Sequence, residues 1–127
     1  MARKRPGSVT GILRAGLTRI QNGWAQGKQF AYRNGVEVGE AADENANQDP
    51  LKATNFCAIG AVTIESFRGI GMGKINVARA RLDEATQILT RGSYGDVVEY
   101  NDEENRRKEQ IVAVYRKAIE LQTHRPA

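Results

Sequence analysis

The chain has 127 residues, 40% of them hydrophobic and 27% charged, with a formal net charge of +4. That length suits one domain with one core, no apolar run is long enough for a transmembrane helix, and no apolar stretch follows the basic N-terminus as in a secretory signal. A single cysteine, Cys57, and a single histidine, His124, exclude a disulfide framework, a multi-cysteine zinc site and most histidine-based catalysis.

The charge is unevenly placed. Arg3, Lys4, Arg5, Arg14 and Arg19 fall in the first 20 residues, which contain no acid, while the rest of the chain is close to neutral. Residues 1–7 read as a basic arm, 8–122 as one globular domain and 123–127 as a frayed tail. An arm of this kind can bind phosphates by releasing counterions, with Arg14 and Arg19 extending the basic footprint. The alternative is a solvated tail.

Ser8 has the hydroxyl of an N-cap. Val9, Ile12, Leu13, Leu17 and Ile20 follow at helical spacing. Gly11 and Gly16 inside this helix point to close approach by another backbone, and Asn22-Gly23 reads as its stop. Residues 28–38 alternate as a hairpin around Asn34-Gly35, the dipeptide of a two-residue type I′ turn. Val97, Val98 and Tyr100 are the candidates for a third strand. Residues 39–53 form a long polar loop in which Asp43, Glu44 and Asp49 do not match the spacing of a calcium loop.

A second helix is predicted from Thr54 or Asn55, its cap, to Phe67. It is apolar nearly all round and so reads as the central, buried helix. Gly69, Gly71 and Gly73 break the chain, and a third helix runs from about Asn76 to Leu89, closed by Arg91-Gly92. Asp102 then reads as the cap of a fourth helix, with Glu103 and Glu104 in its first turn, where the helix dipole favours negative charge. Ile111, Val112, Tyr115, Ala118, Ile119 and Leu121 form the apolar stripe of that helix. The fold class is α+β, mainly α: four helices around a buried central helix, with a small antiparallel hairpin or three-stranded sheet.

Cys57 is the one candidate nucleophile. At a helix start its thiol would be activated, but apolar neighbours on both sides favour a structural, buried cysteine. His124, the base such chemistry would need, lies near the chain end. Gly69 to Lys74 departs from the phosphate-loop pattern in glycine spacing and in lacking a hydroxyl residue after Lys74. Trp24, Gln26, Asn101 and Asp102 are the candidate ligand contacts. An indole can wall a pocket while amide and carboxylate groups orient the ligand. No cofactor and no metal site follow from these residues.

Trp24-Ala25-Gln26-Gly27, Phe56-Cys57-Ala58-Ile59-Gly60-Ala61, Tyr100-Asn101-Asp102 and the stretch from Val112 to Ile119 resemble a small uncharacterised family found in bacterial and phage genomes. The pattern of that family is W-x-Q-G, then F-C-x-x-G-A, then W-N-D before a final helix, and here Tyr100 takes the place of the last tryptophan. The resemblance covers roughly residues 10–121. It implies that Trp24, Gln26, Gly27, Cys57, Gly60, Asn101 and Asp102 belong to one arrangement, with Gly60 marking close backbone packing. The expected function is that of a small, non-enzymatic, cytoplasmic binding protein, bacterial or phage-encoded. It would act on a host macromolecule or on a small nucleotide-like ligand. Two alternatives stand beside it: a hydrolase or transferase using Cys57, and a nucleic-acid-binding accessory protein using the arm. The oligomeric state does not follow from the sequence.

Overall fold

Ser8 starts the first helix as expected. Its hydroxyl oxygen accepts from the Gly11 N–H at 3.0 Å, and helix α1 (Val9–Asn22) buries Ile12, Leu13, Gly16 and Ile20 along one face. A computed structural model of the chain describes residues 7–31 and 50–125. The arm residues Arg3, Lys4 and Arg5 and the Asn34-Gly35 turn lie outside the described residues, as do Asp43, Glu44 and Asp49 of the polar loop.

After α1 the backbone turns into a short ladder. Strand β1 (Phe30–Ala31) pairs antiparallel with β2 (Asn55–Phe56), placing Phe30 opposite Phe56. On the other side of β2 the Phe56 N–H donates to the Gly23 carbonyl (2.8 Å), and the Phe56 carbonyl accepts from the Ala25 N–H (2.9 Å). The described sheet is therefore two-stranded, with the Gly23–Ala25 segment as a flanking bridge.

The third strand expected at 97–100 is a helix. Asp96 caps helix α4 (Val97–Asp102), its side chain accepting from the Glu99 N–H at 2.8 Å, and the Asp83 carboxylate takes the Val97 N–H at 2.9 Å. With those two donors captured, Val97, Tyr100 and Asn101 turn inward at spacings of three and four.

The single helix expected over 55–67 is also replaced. Asn55 and Phe56 are strand. The Cys57 N–H then donates to the Gln29 carbonyl and the Ala58 N–H to the Asn101 side chain, so neither enters a helical turn. Helix α2 spans only Gly60–Thr63, and a tighter 3-10 turn (Ile64–Arg68) follows, closed by Gly69 at φ 94°. A second 3-10 turn covers Pro50–Lys52. The segment is nonetheless the buried centre: Ala58, Ala61 and Val62 are fully enclosed.

Helix α3 (Met72–Leu89) starts four residues earlier than expected, and Lys74 reaches back to the Gly7 carbonyl at 2.7 Å. Asp102 ends α4 and does not cap the last helix. Glu103 and Glu104 lie in the connection between the two. Helix α5 (Lys108–Thr123) is started by Arg107 and Gln110, the Arg107 N–H donating to the Gln110 side chain at 2.9 Å. Beyond it, the Arg125 guanidinium pairs with Glu84 at 2.8 Å.

Helix α5 packs on both α1 and α3 and buries Ile111, Val114, Tyr115 and Ala118. The described residues thus form a mainly helical α+β domain of five helices, not four, with a small antiparallel sheet. None of the described helices is long and apolar enough to cross a membrane.

Candidate functional site

The four residues expected to contact a ligand do converge, and they bond to one another. Asn101 is fully buried. Its Oδ1 accepts from the Trp24 indole N–H at 2.7 Å and from the Ala58 N–H at 3.0 Å. Its Nδ2 donates to the Ala25 carbonyl (3.1 Å) and to Asp102 Oδ1 (2.9 Å). A primary amide has two donor hydrogens and one acceptor oxygen with two lone pairs, so this side chain is saturated.

The surrounding groups complete the cluster. Gln26 Nε2 donates to the Asn101 and Glu103 carbonyls at 3.0 and 2.9 Å, and Asp102 Oδ1 also accepts from the Gly27 N–H at 2.8 Å. The cluster is a latch between the segment after α1 and the end of α4, with Asn101 buried at its centre and Gln26 and Asp102 exposed at its edge. Tyr100 faces another way. Its ring lies under the Arg106 guanidinium, 3.6 Å from the centroid, and meets the Tyr94 ring edge-to-face.

Cys57 lies beneath the latch and is 7% exposed. Burial pushes its thiol above the ordinary value, only partly offset by the nearby N–H groups of Gly60 and Ile59. His124 is the exposed C-cap of α5, so the two residues do not form a nucleophile–base pair. One residue on, the Ala58 carbonyl accepts from the Tyr115 hydroxyl. Burial holds Tyr115 well above its usual pKa, so it stays a neutral donor.

Gly60 explains its own identity. A Cβ there would stand 1.9 Å from the Gln29 carbonyl oxygen, backbone against backbone. At Gly16 a Cβ would meet the Tyr115 ring at 2.6 Å, so a side chain and not a second backbone is what approaches α1 there.

Arg14 is exposed, as a phosphate contact would need. Arg19 is turned inward: its Nη1 donates to the Ala61 carbonyl at 3.0 Å and lies 2.6 Å from Glu65 Oε2. Glu65 is fully buried, and Arg68 approaches its other oxygen at 3.5 Å. This triad was not legible as a site. The available signal was an acid, Glu65, inside the apolar run from Ile59 to Phe67 with an arginine three residues later. An acid there requires a cation within the fold.

Arg19 and Arg68 border a cleft of about 520 Å³ between α1 and the 51–68 segment, lined also by the polar Thr18, Asn22 and Thr54 and the apolar Leu51, Phe56 and Ile64. The volume falls in the range of small-ligand sites. A second, smaller cleft of about 410 Å³ holds Asp83, Asp96 and Glu99 beside Arg79. Among the described residues, no group of three or more histidine, cysteine or acidic residues is arranged to hold a metal ion.

The fold and site define a small, mainly helical α+β domain with an internal polar latch and a two-arginine cleft. The chain belongs to DUF6197, a family of unknown function whose model matches residues 4–121. No curated protein matches the chain, and no solved structure does.

Proposed function

We propose that the protein is a small, non-enzymatic binding protein that takes a nucleotide-like organic anion in the cleft beside Arg19 and Arg68. One observation carries this reading: two guanidinium groups border a ligand-sized cleft that also has an apolar wall. Guanidinium forks suit phosphate and carboxylate oxygens, and Leu51, Phe56 and Ile64 offer surface to an apolar body. The Thr18 and Thr54 hydroxyls donate to the Arg14 carbonyl and the Asn55 side chain, so toward the cleft they act as acceptors. Asn101 in the latch has its donors and acceptor engaged within the fold, so it supports the domain beneath. The buried, raised thiol of Cys57 gives no support to the enzyme alternative.

The test is calorimetric titration with adenosine 5′-monophosphate and with its methyl ester, on the parent chain and on Asn22→Asp. Asn22 is exposed at the end of α1 and lines the cleft, so the added carboxylate should weaken binding about tenfold while costing under about 1 kcal/mol of stability. No binding of either compound, or equal binding by Asn22→Asp, overturns the reading.

A further inference from the structure

Arg19 stands on α1 and lines the cleft, with its side chain only 13% exposed. Two groups of the α2 region hold its Nη1. The Ala61 carbonyl accepts from it at 3.0 Å, and Glu65 Oε2 forms an ion pair with it at 2.6 Å. Ala61 and Glu65 are themselves fully buried, so neither is open to a ligand. Among the described residues, Nε and Nη2 of Arg19 donate to no acceptor. A guanidinium is planar and rigid, so groups that hold one nitrogen restrict where the others face. The Nε–H and one Nη2–H lie side by side and match two oxygens of a single phosphate or carboxylate.

We infer that Arg19 takes two oxygens of the ligand's anionic group through its Nε and Nη2 edge, and that Glu65 is a positioning residue that fixes this fork without touching the ligand. The inference rests on the binding reading above and deepens it. Recognition then lies in one preformed fork and not in the summed charge around the cleft. A carboxylate enclosed in an apolar segment is costly to keep, and pairing with Arg19 offsets that cost. The same pairing removes freedom from a long side chain before the ligand arrives, which lowers the ordering cost of binding. Lysine at position 19 keeps the charge, but its ammonium pairs with Glu65 and presents no fork.

The experiment is calorimetric titration of the parent chain, Arg19→Lys, Glu65→Asp and the double variant. The probe is adenosine 5′-monophosphate or its methyl ester, whichever the parent binds more tightly, since either offers two free oxygens on one phosphorus. All of these chains carry the same charges, so a change in affinity reports geometry. Arg19→Lys should weaken binding about tenfold. Glu65→Asp draws the carboxylate back by one methylene, lets the guanidinium turn and should weaken binding about fivefold. The double variant should bind no more weakly than Arg19→Lys, because without the fork nothing is left to position. Losses that multiply to about fiftyfold would make Glu65 independent of Arg19 and overturn the inference. Parent affinity in Arg19→Lys or in Glu65→Asp also overturns it, while the binding reading stands. If the parent binds neither compound, both fail. Should Glu65→Asp not fold, Arg19→Lys still decides: a tenfold loss upholds the fork and parent affinity removes it.

Discussion

The Trp24 indole donates its N–H to the side-chain oxygen of Asn101 at 2.7 Å, joining residues 77 positions apart. The same Asn101 oxygen takes the Ala58 N–H, and the amide nitrogen ties Ala25 to Asp102. One buried side chain therefore fixes the end of α1, the turn before α2 and the end of α4.

Asn101→Asp should be far more disruptive than its size suggests. It replaces two donor hydrogens by an oxygen facing the Ala25 carbonyl and the Asp102 carboxylate. The expected loss is about 3 kcal/mol or more, against about 1–2 kcal/mol for Trp24→Phe, which removes one donor and leaves the Ala58 bond intact. Urea unfolding of the two variants measures the difference. Equal stability of Asn101→Asp and the parent chain would show that the latch contributes nothing.

Gly60→Ala should cost more than Gly16→Ala. The new methyl at position 60 meets a backbone carbonyl that cannot move without opening the β1–β2 ladder, whereas at position 16 it meets the Tyr115 side chain. Losses of about 3 kcal/mol or more and about 1–3 kcal/mol are expected, read as shifts in urea midpoint. The reverse order would contradict the close approach at Gln29.

Cys57 should resist a thiol reagent in the native protein. Its reactivity on raising the pH should appear later than that of a free thiol, because burial raises its pKa. Cys57→Ser should cost about 1–3 kcal/mol by burying a hydroxyl. Labelling at neutral pH as fast as in denaturant would reopen the enzyme alternative.

Asp83 gives a pH dependence of known sign. Partial burial and the nearby Asp96 raise its pKa, while the Val97 N–H and Arg79 lower it by less. With a folded-state pKa above the unfolded one, Asp83 destabilises the fold at neutral pH. That penalty fades as pH falls through the raised value, where the folded state takes up the proton first. Asp83→Asn keeps an oxygen for the Val97 N–H and should be at least as stable as the parent at neutral pH, with the advantage shrinking in acid. Thermal midpoints at several pH values check this. A variant less stable at neutral pH would mean that the carboxylate charge itself holds the start of α4.

The elements that local chemistry decides were readable from the sequence. Ser8 and the Ile12, Leu13, Ile20 spacing gave α1, and the apolar stripe from Ile111 to Ala118 gave α5, because caps and periodic burial act within a few residues. Trp24, Gln26, Asn101 and Asp102 read as one group from their side-chain chemistry and from the family resemblance; that they bond to one another is visible only in the structure. Tertiary structure decided the rest. Asn55 and Phe56 pair with β1, and Cys57 and Ala58 give their N–H groups to Gln29 and Asn101, so an apolar run that reads as one helix is divided into strand, turn and short helix. Val97, Val98 and Tyr100 are residue types that favour strands, yet the segment is helix because Asp83 and Asp96 capture its first N–H groups. The Arg19–Glu65–Arg68 triad has only a partial local signal, Glu65 inside an apolar run with Arg68 three residues on; its third member, Arg19, comes from α1 and is joined only where burial forces the acid to find its cations. Hydrogen bonds and ion pairs between distant segments outweigh propensities worth less than about 1 kcal/mol per residue, so those distant partners decide the local form.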